Sequence, residues 1–213
     1  MKNITELIFI IDKSGSMSGL EKDTIGGFNS LIKKQVKEEG DAIVTLVLFD
    51  HKIHTIYERV SIKEVKTLTE KDYVPSGCTA LLDAVGTSIN IISNKYEILD
   101  DNEKANKILC VITTDGFENA SEEFTYDIIK KLIRRKKEKN WEFIFLGANI
   151  DSVKVAGSIG IEKENAVDYK CDEQGIEINY ECLNQAISSV RRCGSVSKEW
   201  RKKIDKDIQE RGK

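Results

Sequence analysis

Proline occurs once and histidine twice in the 213 residues, and no two of the five cysteines form a C-x-x-C pair. Each scarcity excludes something. With a single proline, no internal repeat and no low-complexity stretch, no linker divides the chain, and its length fits one domain with a tail. An odd cysteine count without C-x-x-C spacing argues against a disulfide framework and a zinc ribbon. Cys171, Cys182 and Cys193 are evenly spaced but too far apart for a zinc knuckle, while Cys110 reads as a reduced core residue inside an apolar strand. This is the cysteine usage of the cytosol. His51 and His54 fall on opposite faces of a predicted strand, which argues against a shared zinc. Neither is placed to activate a serine nucleophile.

Excess charge of one sign is also missing. The formal net charge is -3, too small a field to steer the chain onto nucleic acid. No apolar signal core with a cleavage site is present, and no run of about 18 apolar residues spans a membrane. Together these absences predict a cytoplasmic protein with neither a nucleic-acid nor a membrane partner. The phosphate-cradling pattern G-x-x-x-x-G-K-[ST] is absent, which argues against a nucleoside triphosphatase.

What is present is enough to build a core without staples, with 40% hydrophobic and 32% charged residues. Apolar runs alternate with helical patterns, which predicts a mostly parallel sheet covered on both faces. Strands are expected at residues 5–12, 42–49, 108–113 and 141–146, with a weak last strand at 166–169. A turn at Asp50-His51-Lys52 leads into 53–60, a hairpin partner that makes an antiparallel edge strand. Helices are expected at 20–38, 80–98, from Phe124 to Lys137, and at 153–158. Ile176, Tyr180, Leu183, Ile187 and Val190 form one apolar stripe of a final helix packed on the sheet. The domain is therefore drawn over residues 1–194. The charged segment 195–213 carries Val196, Trp200, Ile204 and Ile208 at four-residue intervals. It predicts a marginal amphipathic helix that docks on the domain, docks on another chain, or frays.

Three segments carry the chemistry. Asp12-Lys13-Ser14-Gly15-Ser16 follows the first strand, and an extended turn aims Asp12, Ser14 and Ser16 one way. One carboxylate and two hydroxyls make an all-oxygen cluster suited to Mg²⁺ or Mn²⁺. The alternative is a strand-to-helix loop whose Asp and Ser residues serve as caps and turn formers. Ser76-Gly77-Cys78-Thr79-Ala80-Leu81-Leu82-Asp83 precedes a long helix, with Pro75 stiffening its entry. Ile112-Thr113-Thr114-Asp115-Gly116 ends another apolar strand.

These three pieces, in this order, resemble the metal-ion-dependent adhesion site (MIDAS) of the von Willebrand factor type A (vWA) family. The resemblance runs from the first strand to about Tyr169. It is strongest with intracellular bacterial members, because Phe143-Ile144-Phe145-Leu146-Gly147-Ala148-Asn149 looks like their fifth strand and its exit. Cys78 stands where glycine is commoner, outside any ligand position. The resemblance implies a Rossmann-like, doubly wound α/β fold: a mostly parallel six-stranded sheet with one antiparallel edge strand and helices on both faces. It implies one divalent cation, Mg²⁺ or Mn²⁺, shared by Asp12, Ser14, Ser16, Thr79 and Asp115. The hydroxyls bind it directly and the aspartates partly through water.

A protein partner's Asp or Glu then completes the shell. Thr79 at a helix start adds the expectation of free amides that favour an incoming anion. The resemblance also makes the stripe from Ile176 to Val190 a candidate mobile element. The expected function is metal-dependent protein binding in an adhesion or scaffold role, not catalysis. Alternatives are a metal-dependent phosphohydrolase or a structural domain with an unused site. The phosphohydrolase lacks its second Asp, because the position two after Asp12 is Ser14.

Overall fold

The computed structural model describes residues 4–212; residues 1–3 and 213, the outermost parts of the predicted segments 1–194 and 195–213, lie outside the described residues. Strands β1 (Ile4–Asp12), β2 (Asp41–Phe49), β3 (Ile53–Ser61), β4 (Lys107–Thr114), β5 (Trp141–Gly147) and β6 (Ala166–Asp168) form one sheet. Its order is β3-β2-β1-β4-β5-β6. All neighbours are parallel except β2 and β3, which pair antiparallel at the edge. The alternation of patterns predicts this mostly parallel sheet, and the family resemblance its doubly wound six-stranded form.

Every residue of β1 is buried, and alternate side chains feed two separate cores. Leu7, Phe9 and Ile11 pack on one face with helices α1 (Glu21–Gln35), α5 (Glu173–Cys193) and α6 (Lys202–Arg211). Ile8 and Ile10 pack on the other with α2 (Leu81–Ile98), α3 (Tyr126–Lys137) and α4 (Ser152–Ser158). A strand covered on both sides reads as a continuous apolar run, which is why the first strand was legible.

The stripe of α5 is buried throughout, and the helix stops where Gly194 takes a left-handed conformation at φ 86°. The segment after it docks on the same domain. Trp200 and Ile204 are each 2% exposed and join the core under α5. One helix starts later than its periodicity predicts. The amides of Glu122, Glu123 and Phe124 donate to the Asp83 carboxylate, so α3 begins only at Tyr126, capped by Thr125. Phe124 instead packs across the gap left by Gly86. His51 lies in the turn before β3 rather than on the strand.

The chain winds from β1 outward through β2 to β3, then returns and winds outward through β4 and β5 to β6. The reversal opens a crevice beyond the carboxyl ends of β1 and β4, the place where open α/β sheets bind ligands. No helix among the described residues is long and apolar enough to cross a membrane.

Candidate metal centre

Asp12 is the last residue of β1, and Asp115 follows the last residue of the neighbouring β4. Both carboxylates therefore enter the crevice from adjacent strand ends. Asp12 is fully buried; its Oδ1 accepts the Ser14 amide at 2.7 Å and its Oδ2 accepts the Thr114 hydroxyl at 2.6 Å. Ser14 Oγ and Ser16 Oγ lie 3.2 Å apart, and Ser16 Oγ donates to Asp115 Oδ1 at 2.6 Å. Thr79 arrives from the loop before α2. A Cβ added to Gly116 would stand 3.2 Å from Thr79 Oγ1 and 3.6 Å from Ser16 Oγ, so both hydroxyls converge over this glycine. The structure thus gathers all five residues singled out in the sequence. Asp12, Ser14, Thr79 and Asp115 are buried, while Gly15 and Ser16 open to solvent.

The electrostatics are one-sided. Burial pushes the Asp12 carboxyl up to about 6, against the pull of the Thr114 and Ser14 hydrogen bonds, and the Asp115 charge adds to the rise. Burial also raises Asp115, opposed by its bond from Ser16. The donors that lower both groups are hydroxyls and amides, not cations. Lys13, next to Asp12, is engaged elsewhere in a buried ion pair with Asp50. One carboxylate oxygen, Asp115 Oδ2, is buried with no hydrogen-bond partner. An orphaned acceptor of this kind costs about 1–3 kcal/mol unless something satisfies it.

Two carboxylates and three hydroxyls, with negative charge left unbalanced, fit a divalent oxygen-seeking cation. Among the described residues no group of three or more His, Cys, Asp or Glu is placed to hold a metal, so such a site would depend on its hydroxyls.

No protein-family model matches the sequence, and no curated protein matches it. Solved structures do match its fold. The vWF domain of the pilus tip protein Mfa5 from Porphyromonas gingivalis superposes with a TM-score of 0.66 at 12% identity, over 92% of this chain and 99% of that one. The chain has the von Willebrand factor type A fold. Proximal thread matrix protein 1 from the mussel byssus, with a zinc-occupied MIDAS motif, gives a TM-score of 0.60 at 14% identity over 88% of this chain. This chain spans 46% of that protein, about half its length. Manganese-loaded TRAP protein from Plasmodium vivax gives 0.56 at 16% identity, over 83% of this chain and 72% of that one.

Several supports of this vWA site were not singled out from sequence. Thr114 holds Asp12. Asn119 clamps Thr79 from both sides: its Oδ1 accepts the Thr79 amide at 2.9 Å and its own amide donates to the Thr79 carbonyl at 3.1 Å. Asp50 joins the loops, accepting from Lys13 and, at 2.8 Å, from the Ser76 hydroxyl. Tyr73 donates to the Asp12 carbonyl at 2.6 Å from beneath. The one available signal was positional. Asp12, Asp50 and Asp115 each stand at or just past the carboxyl end of a central strand.

Four of the amides expected to be free around the start of α2 are engaged. The amide of Thr79 bonds Asn119, that of Ala80 the Asp50 carbonyl, that of Leu82 Glu118 Oε2, and that of Asp83 the Ser121 hydroxyl. The loop after β4 takes three of these four donors and the Asp50 carbonyl takes the fourth.

Proposed function

We infer that this chain is a divalent-metal-dependent binding domain, in which Asp12, Ser14, Ser16, Thr79 and Asp115 hold Mg²⁺ or Mn²⁺. The observation that carries the reading is the buried, unpartnered Asp115 Oδ2 beside a second carboxylate with no cation in reach. A bound divalent cation supplies a Lewis-acidic position that a partner's carboxylate can take. This chain's residues do the rest. Two aspartates balance the charge of such a cation, but with three neutral hydroxyls the five residues do not fill a six-oxygen shell, so an open position stays available to an acidic ligand. Thr114 and the Ser14 amide fix the Asp12 carboxylate, and Asn119 fixes Thr79. Because Thr79, Ala80, Leu82 and Asp83 have their amides engaged within the fold, the helix end offers an anionic ligand little, and its recruitment depends chiefly on the cation.

The reading is of binding without turnover, by an intracellular bacterial type of vWA protein in the cytoplasm, in an adhesion or scaffold role. Affinity capture from the source cell's lysate tests it, using the intact protein in Mg²⁺, the intact protein in chelator, and Asp12→Ala in Mg²⁺. A protein retained only in the first arm supports metal-dependent adhesion. Equal retention in all three arms contradicts it.

A further inference from the structure

Beside the metal centre lies a cleft of about 380 Å³ that the site itself does not use. Phe117, Ile150, Tyr169, Cys171 and Ile208 supply its apolar walls. It begins where the centre ends. Phe117 is two residues past Asp115, and the Asp115 charge reaches Cys171, whose thiol is pushed up to about 11 chiefly by burial. The Phe117 ring is 63% exposed, a large apolar surface left in water on the rim of a binding site. The polar groups around the cleft are already engaged. Asp168 accepts the Ser152 amide, Asp151 accepts the Lys154 amide, and Lys170 donates to the Arg211 carbonyl. What remains is an unfilled apolar hollow at the low end of the roughly 300–1,000 Å³ of ligand pockets, room for a bulky side chain but not for a folded element.

We propose that the partner's acidic residue arrives with a bulky apolar residue close to it in sequence, and that this second side chain fills the cleft between Phe117 and Ile208. The inference rests on the metal-binding reading above. It adds the chemistry of the partner: an extended segment in which Asp or Glu is followed or preceded within about three positions by Leu, Ile, Phe or Trp. The metal-site loop 115–117 runs into the cleft wall, so one short segment reaches both.

Selection from a phage-displayed library of random peptides tests it. The probe is the library itself, panned in Mn²⁺ on the full chain, and enriched peptides are then titrated individually. The expected result is enrichment of peptides with an acid and a nearby bulky apolar residue, lost in chelator. Burying one such side chain is worth about 1.5–3 kcal/mol, so Phe117→Ser weakens those peptides roughly tenfold or more. Mn²⁺ affinity stays unchanged, because Phe117 is none of the five ligands and carries no oxygen in its side chain. Phe117 is exposed, so its replacement leaves the fold intact. Peptides that share an acid but no apolar neighbour, or that bind Phe117→Ser undiminished, overturn the cleft assignment and leave the metal reading standing. Enrichment independent of Mn²⁺, or no enrichment, overturns both.

Discussion

Asp12 is held by two neutral donors and no cation, and that sets its response to pH. Its carboxyl is raised from the ordinary 3.8 to about 6. Without metal, the folded chain therefore holds this proton more tightly than the unfolded chain does. Through this group the metal-free protein loses stability as pH rises from about 4 to about 6. Bound metal reverses the trend, because proton and cation compete for the same oxygens. The increment that Mn²⁺ adds to Tm is expected to be full well above pH 6 and to fade as pH falls through it. Thermal unfolding with and without Mn²⁺ across that range measures this, and a flat increment contradicts it. Asn119 acts at one remove. Asn119→Ala frees the Thr79 amide, costs about 1 kcal/mol in denaturant unfolding, and weakens Mn²⁺ affinity by loosening the loop that presents Thr79. Unchanged Mn²⁺ affinity in that variant would show that Thr79 needs no clamp.

Two elements are held by side chains that reach across the fold. Arg191 of α5 is buried, and its guanidinium donates to the carbonyls of Gln35, Glu38, Glu39 and Gly40 at the end of α1. Gln35 closes α1 and the other three carbonyls belong to the loop that leads to β2, so one guanidinium fixes the exit of the helix. Arg191→Ala is expected to lower unfolding stability by about 3 kcal/mol, read from the urea midpoint, with Mn²⁺ affinity little changed at the far end of the sheet. The residues that lead into α6 tie it to the entry of β6, the outermost strand on this side of the sheet. The Trp200 indole donates to the Glu164 carbonyl at 3.1 Å, and Arg201 donates to the Lys163 and Ala166 carbonyls. An uncovered strand edge invites pairing with another chain. Removal of residues 195–213 is expected to lower the urea midpoint and to produce association visible by light scattering. A truncated protein that stays monomeric with its midpoint unchanged would show that α6 is dispensable.

Over the whole molecule, the sheet order places the β1 and β4 ends side by side, and the two aspartates meet there because each closes one of those strands. This much was legible. Continuous apolar runs mark strands buried on both faces, and D-x-S-x-S gives three oxygens in local register. The supports were not legible. Asp83 bonding to residues 122–124, Glu118 to α2, Asn119 to Thr79 and Arg191 to the end of α1 are contacts between residues far apart in sequence. Such contacts leave no periodic trace. They also account for the late start of α3 and for the engaged amides around the start of α2.

The central claim is that five oxygen-bearing residues from three loops hold one divalent cation. An anomalous-difference map from crystals of the intact chain grown with Mn²⁺ tests it most directly, with Asp12→Ala crystals as the control. One strong peak is expected among Asp12, Ser14, Ser16, Thr79 and Asp115, absent in the variant. No peak at that position, or a peak held by other residues, would contradict it.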